Sequence, residues 1–397
     1  MRSVLLENLS KLEYFFKMPN LIKSPTILSD FFNQENISWK SIKHKIYSDN
    51  SWREKILWEL HFERSNKIET KIKRRIVRLL FLAYRSTSDI RFFNEYLFFS
   101  DSASTRRRNN SAMFKLFKNN LKEDGTHIWP KKSELAALKF LDSKDKEFLE
   151  VPKSKNIKVG LLGSPHFFNN LKHKLEKFGL KSIILFIPHH SNRLVRFLYK
   201  NKFLFRFFLY LKNIKTPYVN VSSDYRSNEI SAVIHEKSLD IAFHKLGFII
   251  KRNIIDSFPL GVINDHWGPL PEVRGRSSLE YTLLFGFPII VTTHLITEKV
   301  DDGEIISYFN YEYMKKGLCS VKDLKKKIRK TSDERAIRSI IMAISNEYRG
   351  INNDSKDGFM FYAMHPWLVK YVDNVILKKT DMQTNYKNFH YNKKSES

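Results

Sequence analysis

Three side chains in this 397-residue chain have the types and spacing for acyl transfer: Asn264, His266 and one of the neighbours Asp301 and Asp302. An amide N–H can hold the oxyanion of a tetrahedral intermediate. An imidazole titrates near neutrality and can polarise a carbonyl or relay a proton. A carboxylate can orient or charge that imidazole and accept the proton an attacking amine must lose. Asn264 ends the apolar run L-G-V-I-N, and His266 follows two residues later. In an extended segment that spacing puts both on one face. No Ser or Cys stands in a recognisable nucleophile elbow, so direct transfer is expected rather than a covalent intermediate. The plainer alternative is a polar turn with a capping Asn and a surface His.

Positioning falls to the residues around them. Gly268, Pro269, Pro271 and Gly275 stop regular structure and build a fixed loop after the strand. Arg274 and Arg276 flank Gly275 and read either as contacts to a phosphate or as a solvated pair. His294, inside the β-prone run I-I-V-T-T-H-L-I (289–296), reads as a packed strand residue rather than a ligand. His189, His190 and His365 lack partner spacing for a metal site.

Upstream, residues 157–165, 182–188, 216–222, 239–244 and 260–264 read as five strands, separated by helical segments such as 167–178. That alternation predicts an α/β fold with a mostly parallel sheet and right-handed crossovers. The first strand-to-helix turn has only Gly163 and lacks GxGxxG, so a dinucleotide site is not expected. Asp301-Asp302-Gly303 reads as a turn between two strands. Of two later helices, the second is expected to start on a Thr331–Glu334 capping box and to bury Ile337, Ile340, Ile341 and Ile344. Before the sheet, Ile72, Ile76, Leu79, Leu80 and Ala83 recur at helical spacing, and Ser88 to Ser100 reads as a buried helix. Arg106 to Arg108 form a basic loop. The expected organisation is a helical N-terminal domain over 1–150, a catalytic domain over 151–312, C-terminal helices over 313–380 and a polar tail over 381–397.

The net charge of +27 and a sequence pI near 9.8 predict attraction to nucleic acid, anionic lipid or phosphorylated substrates. Lys is spread along the whole chain, as a compositional bias of the source genome would also give. Cys319 is the single cysteine, so an internal disulfide framework is excluded and a cytoplasmic location is expected. Glu7 interrupts what would be the apolar region of a signal peptide. Leu194 to Leu211 is strongly apolar and aromatic but is broken by Arg196, Lys200, Lys202 and Arg206. It reads as an amphipathic helix, packed on its own domain or lying on the inner face of a membrane.

Asn264 to Gly275, N-D-H-W-G-P-L-P-E-V-R-G, resembles the N-x-H-(P/G)-S-x-L-P-x-x-x-G hallmark of formyltransferases that use 10-formyltetrahydrofolate. Thr292 with V-D-D-G at 300–303 is similar to the family's second hallmark, and makes Asp301 the family aspartate. L-L-G-S-P-H-F, Leu161 to Phe167, is similar to the family's A-G-T-P-x-F, and Gly247 falls at its folate-binding loop. The resemblance spans about Asn156 to Ile344. It implies a Rossmann-like formyltransferase domain with Asn264, His266 and Asp301 catalytic. It also implies 10-formyltetrahydrofolate as formyl donor, bound by Leu246, Gly247, Phe248, Ile249, Ile250, Thr297 and Val300. The expected acceptor contacts are Gly163, Ser164, Pro165, Trp267, Arg274 and Arg276. Trp267-Gly268-Pro269 departs from the commoner Pro-Ser-Leu and sets an indole beside the His. The tRNA-specific members carry a β-rich C-terminal domain, whereas this chain reads as helical there. The implied partner is therefore a small anionic or nucleotide-linked amine, best an amino sugar of surface polysaccharide synthesis. The rival readings are a methionyl-tRNA formyltransferase-like enzyme and a polyanion-binding protein that reuses the fold.

Overall fold

Seven short apolar runs form one sheet in the order β3-β2-β1-β4-β5-β7-β8. The computed structural model describes residues 38–64, 68, 70–100, 112–129, 156–187, 197, 201–211, 217–221, 228–315, 320–346, 353–354 and 357–377. The basic loop at 106–108, the boundary at 151–155, His189, His190, Cys319 and the tail after 377 lie outside them.

β1 (Lys158–Leu162), β2 (Lys181–Phe186), β3 (Tyr218–Asn220), β4 (Ile241–His244) and β5 (Val262–His266) pair in parallel. β7 (Ile290–Leu295) and β8 (Ile305–Asn310) then add to β5 antiparallel. A separate two-stranded ladder joins β6 (Val273–Gly275) to β9 (Phe359–Phe361). The strand-and-helix alternation read from the sequence is thus the observed one, and the order places β1 and β4 at the centre.

Both faces of the sheet are covered, which is why its strands read as nearly continuous apolar runs. On one face Val159, Leu161, Phe243 and Ile263 pack with helices Asn169–Lys177 and Ser332–Ser345, including Ile337, Ile340, Ile341 and Ile344. On the other, Leu162, Ala242 and Val262 pack with Ile230, Ile234, Ile254 and Phe258. The Thr331–Glu334 capping box is not made. The Thr331 hydroxyl lies 2.9 Å from the Ile328 carbonyl and accepts from Arg335 at 2.7 Å, leaving no side-chain cap.

Helices Trp39–Ser48, Asn50–Glu63, Thr70–Thr87 and Ile90–Phe99 form the described front of the chain. Ile76, Leu79, Leu80 and Ala83 face inward, as their spacing dictates. Their apolar faces share one cluster with helix Ser278–Leu284 and with Phe361, Trp367, Leu368 and Tyr371 near the other end of the sequence. Polar bonds seal the junction. Arg64 donates to the Ala363 carbonyl at 3.1 Å, Arg91 to the Met360 carbonyl at 3.2 Å, and the His365 amide to Asn94 at 2.7 Å. Arg91 is fully paired, with Asp89 at 2.7 Å and Glu54 at 2.7 Å. No helix among the described residues is long and apolar enough to cross a membrane.

Candidate active site

β5 does not end at Asn264 but runs on through His266, because its far half pairs with β7. Asn264 lies opposite His294, Asp265 opposite Thr293, and His266 opposite Thr292. Alternation sends Asn264 and His266 to one face and Asp265 to the other. Asp265 there accepts from both arms of Arg335, Nε at 3.0 Å and a terminal nitrogen at 2.7 Å. Burial disfavours the Arg335 cation, but Asp265 outweighs it and holds the guanidinium firmly charged. This bidentate pair pins the middle of β5 to helix Ser332–Ser345.

His266 is buried, and both ring nitrogens are taken. Nε2 lies 2.7 Å from the Val273 carbonyl, and Nδ1 lies 3.3 Å from Asp301 Oδ2. Both partners are acceptors when Asp301 is ionised, so both nitrogens carry hydrogen and the ring is an imidazolium. Burial opposes that charge, but the Asp301 carboxylate, its hydrogen bond and the Val273 carbonyl raise the pKa of His266 nonetheless. Burial likewise works against the Asp301 charge, and His266 and His294 overcome it, holding the carboxyl well below its usual range.

Asn264 faces inward as well. Its amide nitrogen lies 3.1 Å from His294 Nε2 and 3.3 Å from Asp301 Oδ1. His294 Nδ1 lies 2.7 Å from the Leu295 carbonyl, which fixes the ring with Nε2 turned to the Asn264 amide and Asp301. His294 is thus more than a packed strand residue. It sets the orientation of Asn264 and lies 3.6 Å from Asp301. The sequence offers one signal for it, the i, i+2 relation to Thr292, but not the pairing across β5. His244 is a second residue that sequence pattern does not single out. It ends β4, next to β5, and its Nδ1 receives the Leu246 amide at 3.4 Å. Its Nε2 is buried without a hydrogen-bond partner. Burial, aided by His294 and against Asp301, brings its pKa down to about 4, so the ring is neutral with Nε2–H as a donor.

The Asp301 turn is held from several sides. Its backbone is left-handed, with φ at 51°, a strained state for a residue with a Cβ. Gly275 N donates to Asp301 Oδ2 at 2.8 Å, and the Asp301 carbonyl accepts from Arg274 at 2.5 Å and from Asn353 at 2.9 Å. Arg274 also reaches Asp302 at 3.1 Å and the Asn353 side chain at 2.8 Å. It is therefore neither a solvated residue nor aimed outward at a phosphate: its terminal nitrogens clamp the turn from inside. Gly303 follows because any Cβ there would strike the Leu295 carbonyl. Gly275, with φ at 86°, lies so close to the Phe361 carbonyl that no side chain fits. That approach lets β6 lie against β9. Thr292 completes the support: its hydroxyl donates to the Gly268 carbonyl at 2.7 Å and accepts from Leu270 N at 3.2 Å.

The other expected contacts fall around this centre. Gly163, Ser164 and Pro165 follow β1, and the Lys245 amide donates to the Leu162 carbonyl at 3.0 Å, so this turn borders the end of β4. Ser164 is bonded to its own neighbour His166 at 2.7 Å. Leu246, Phe248 and Ile250 pack in one apolar cluster with Ile296, next to Thr297, while Gly247, Ile249 and Thr297 are exposed along the rim. Val300 is half-buried. Trp267 turns with Asp265 rather than with His266. Its indole nitrogen reaches Asp265 at 3.5 Å and Arg329 lies 5.6 Å above the ring. Arg276 is half-buried, and its cation is disfavoured first by burial and then by Arg64. His365 caps a helix by accepting from Trp367 N at 3.1 Å. Among the described residues no group of three or more His, Cys, Asp or Glu is placed to hold a metal ion.

No family model matches the chain. It is similar to the methionyl-tRNA formyltransferase of Borrelia duttonii (strain Ly), 36% identical over 67 residues, which are 17% of this chain and 22% of that protein. The Bacillus subtilis (strain 168) methionyl-tRNA formyltransferase is 34% identical over 82 residues, 20% of this chain and 26% of that protein. The likeness thus spans about a quarter of the length of these curated relatives. Among solved structures, a sugar N-formyltransferase from a Shewanella species aligns with a TM-score of 0.40 and 13% identity, over 56% of this chain and 89% of that one. The formyltransferase PseJ of Anoxybacillus kamchatkensis, in complex with UDP-4,6-dideoxy-4-formamido-L-AltNAc and tetrahydrofolate, aligns with a TM-score of 0.34 and 20% identity, over 51% of this chain and 85% of that one. The curated relatives that the chain resembles over this stretch are formyltransferases.

Proposed function

We propose that the chain moves a formyl group from 10-formyltetrahydrofolate to a primary amine on an amino sugar or nucleotide-linked sugar. The observation that carries this reading is the buried imidazolium–carboxylate pair of His266 and Asp301, set beside the Asn264 amide at the carboxyl edge of the sheet. The amine nitrogen attacks the formyl carbon, the carbon's bond to N10 breaks, and the amine's proton ends on N10. Asn264 supplies the oxyanion donor by turning the N–H of its longer, 3.3 Å contact from Asp301 to the formyl oxygen. His266 contributes fixed positive charge in a site of low dielectric, since its own nitrogens stay on Asp301 and Val273. Asp301 orients His266 and passes on the amine proton, which a carboxyl of such low pKa holds only briefly.

The Leu246–Ile250 segment and the neighbouring Thr297–Val300 segment offer an apolar floor and an exposed rim for the pterin. A neutral to anionic acceptor suits the net charge of +27. Beyond β8 the described elements are helical apart from the three-residue β9, which favours a small acceptor over tRNA. The curated relatives named for methionyl-tRNA keep that substrate as the second reading. The test incubates the chain with 10-formyltetrahydrofolate and a panel of nucleotide-linked amino sugars, formylatable tRNA and glycinamide ribonucleotide, following tetrahydrofolate release. Release with an amino sugar, cut on the order of a hundredfold by His266→Ala, is expected. No release with any acceptor and no folate binding sinks the reading.

A further inference from the structure

Helix Lys202–Leu211, K-F-L-F-R-F-F-L-Y-L, presents apolar side chains on two opposite faces. One face is used by the fold. Phe205 and Leu209, 2% and 4% exposed, pack on Phe186, and the Phe205 ring stacks on that of Phe186 at 4.4 Å. The other face is exposed: Phe203 is 78% exposed, Phe207 52%, Tyr210 76% and Leu211 48%. Their spacing of four, three and one keeps them on a single stripe. Eleven large apolar side chains are exposed among the described residues, and four of them sit on this ten-residue helix. Exposed aromatic surface on this scale signals an interaction site.

Charge narrows the partner. Residues 187–217 hold Arg193, Arg196, Lys200, Lys202, Arg206, Lys212 and Lys215, seven cations, and no Asp or Glu. Arg206 lies on the helix itself, exposed beside the stripe. An apolar stripe with Arg206 exposed at its edge, in a stretch of sequence bare of acids, is unsuited to a dry protein groove, where an unpaired cation is costly. It matches the boundary between anionic headgroups and acyl chains, where rings insert and cations meet phosphates. We propose that the Phe203, Phe207, Tyr210 and Leu211 face anchors the protein peripherally on an anionic lipid bilayer. The helix lies in the membrane surface and does not cross it.

The test sediments the full chain with vesicles of phosphatidylcholine alone or mixed equally with phosphatidylglycerol, at low and high salt. Binding to the mixed vesicles, weakened by salt, is expected, and the triple substitution Phe203→Ser, Phe207→Ser, Tyr210→Ser should cut partitioning by about tenfold or more. Arg206→Glu removes no buried contact, so it should weaken binding even where the triple variant misfolds. Absence of binding to anionic vesicles, or equal binding by the wild type and Arg206→Glu, overturns the proposal. So does self-association that the triple variant abolishes in the absence of vesicle binding, which would assign the face to a second copy of the chain.

Discussion

Replacing Asp301 with Asn keeps the shape of the site and removes one charge, and the structure dictates how the loss should vary with pH. In the wild type, His266 has a pKa raised above its ordinary 6.5. Its contribution to stability is fully present below pH 6.5 and is lost as pH rises through the folded value. Asp301 is depressed below 3.8, so its contribution is present above that pH and is lost as pH falls through the folded value. The pair therefore stabilises most between about pH 3.8 and 6.5. In the variant, burial and the nearby Arg274 oppose the His266 charge with only the Val273 carbonyl left to favour it, so the folded state favours the neutral ring. Below 6.5 that costs about 1.4 kcal/mol per pH unit. At pH 8 the expected loss is roughly 1.5–3 kcal/mol, the worth of hydrogen bonds to a charged group. At pH 5.5 it grows by at least about 1.4 kcal/mol, into the roughly 3–5 kcal/mol range of a broken buried pair. Urea unfolding at the two pH values measures this, with tetrahydrofolate release expected to fall about a hundredfold or more. A loss that is equal at both pH values, or larger at pH 8, refutes the imidazolium–carboxylate assignment.

Two more outcomes are expected from the same contacts. Arg335→Met leaves Asp265 charged and unpaired in the sheet's cover and should cost about 3–5 kcal/mol. Combining it with Asp265→Asn should restore part of that in urea unfolding, and a double variant no more stable than the single one would show that the pair does not pin β5. His244→Phe removes a buried donor that has no partner in the fold, a group costing about 1–3 kcal/mol. Thermal stability should hold or rise while turnover drops, if Nε2 is kept for a ligand. Lower stability with full turnover would make His244 a structural residue.

The parts of the site that local rules govern are legible in the chain. The spacing of Asn264 and His266 fixes their shared face, and Asp301-Asp302-Gly303 reads as a turn between strands because its residue types leave little else. What escapes depends on partners distant in sequence. Arg274 has the look of a surface cation until Asn353 and the Asp301 carbonyl surround it. His294 looks inert because only the antiparallel register puts it across from Asn264. The Thr331 cap has the right pattern, yet Arg335, recruited by Asp265, takes the hydroxyl first. Trp267 stands beside His266 in sequence, whereas its indole turns to the side of Asp265, just past the end of β5.

The seam between the front helices and the segment around Ala363 also governs how the protein is made. The Ala363 carbonyl accepts from Arg64, 299 positions earlier, and from Asn94, 269 positions earlier. At ribosomal speeds of about 5–20 residues per second, Arg64 and Asn94 wait roughly 15–60 s for that carbonyl to be synthesised. Throughout that interval Phe92, Phe93 and Tyr96, later sealed by Trp367 and its neighbours, lack their cover. Helices Asn50–Glu63 and Ile90–Phe99, made early, are thus finished late, and a nascent chain stalled before the final segment presents a sticky surface that chaperones must shield.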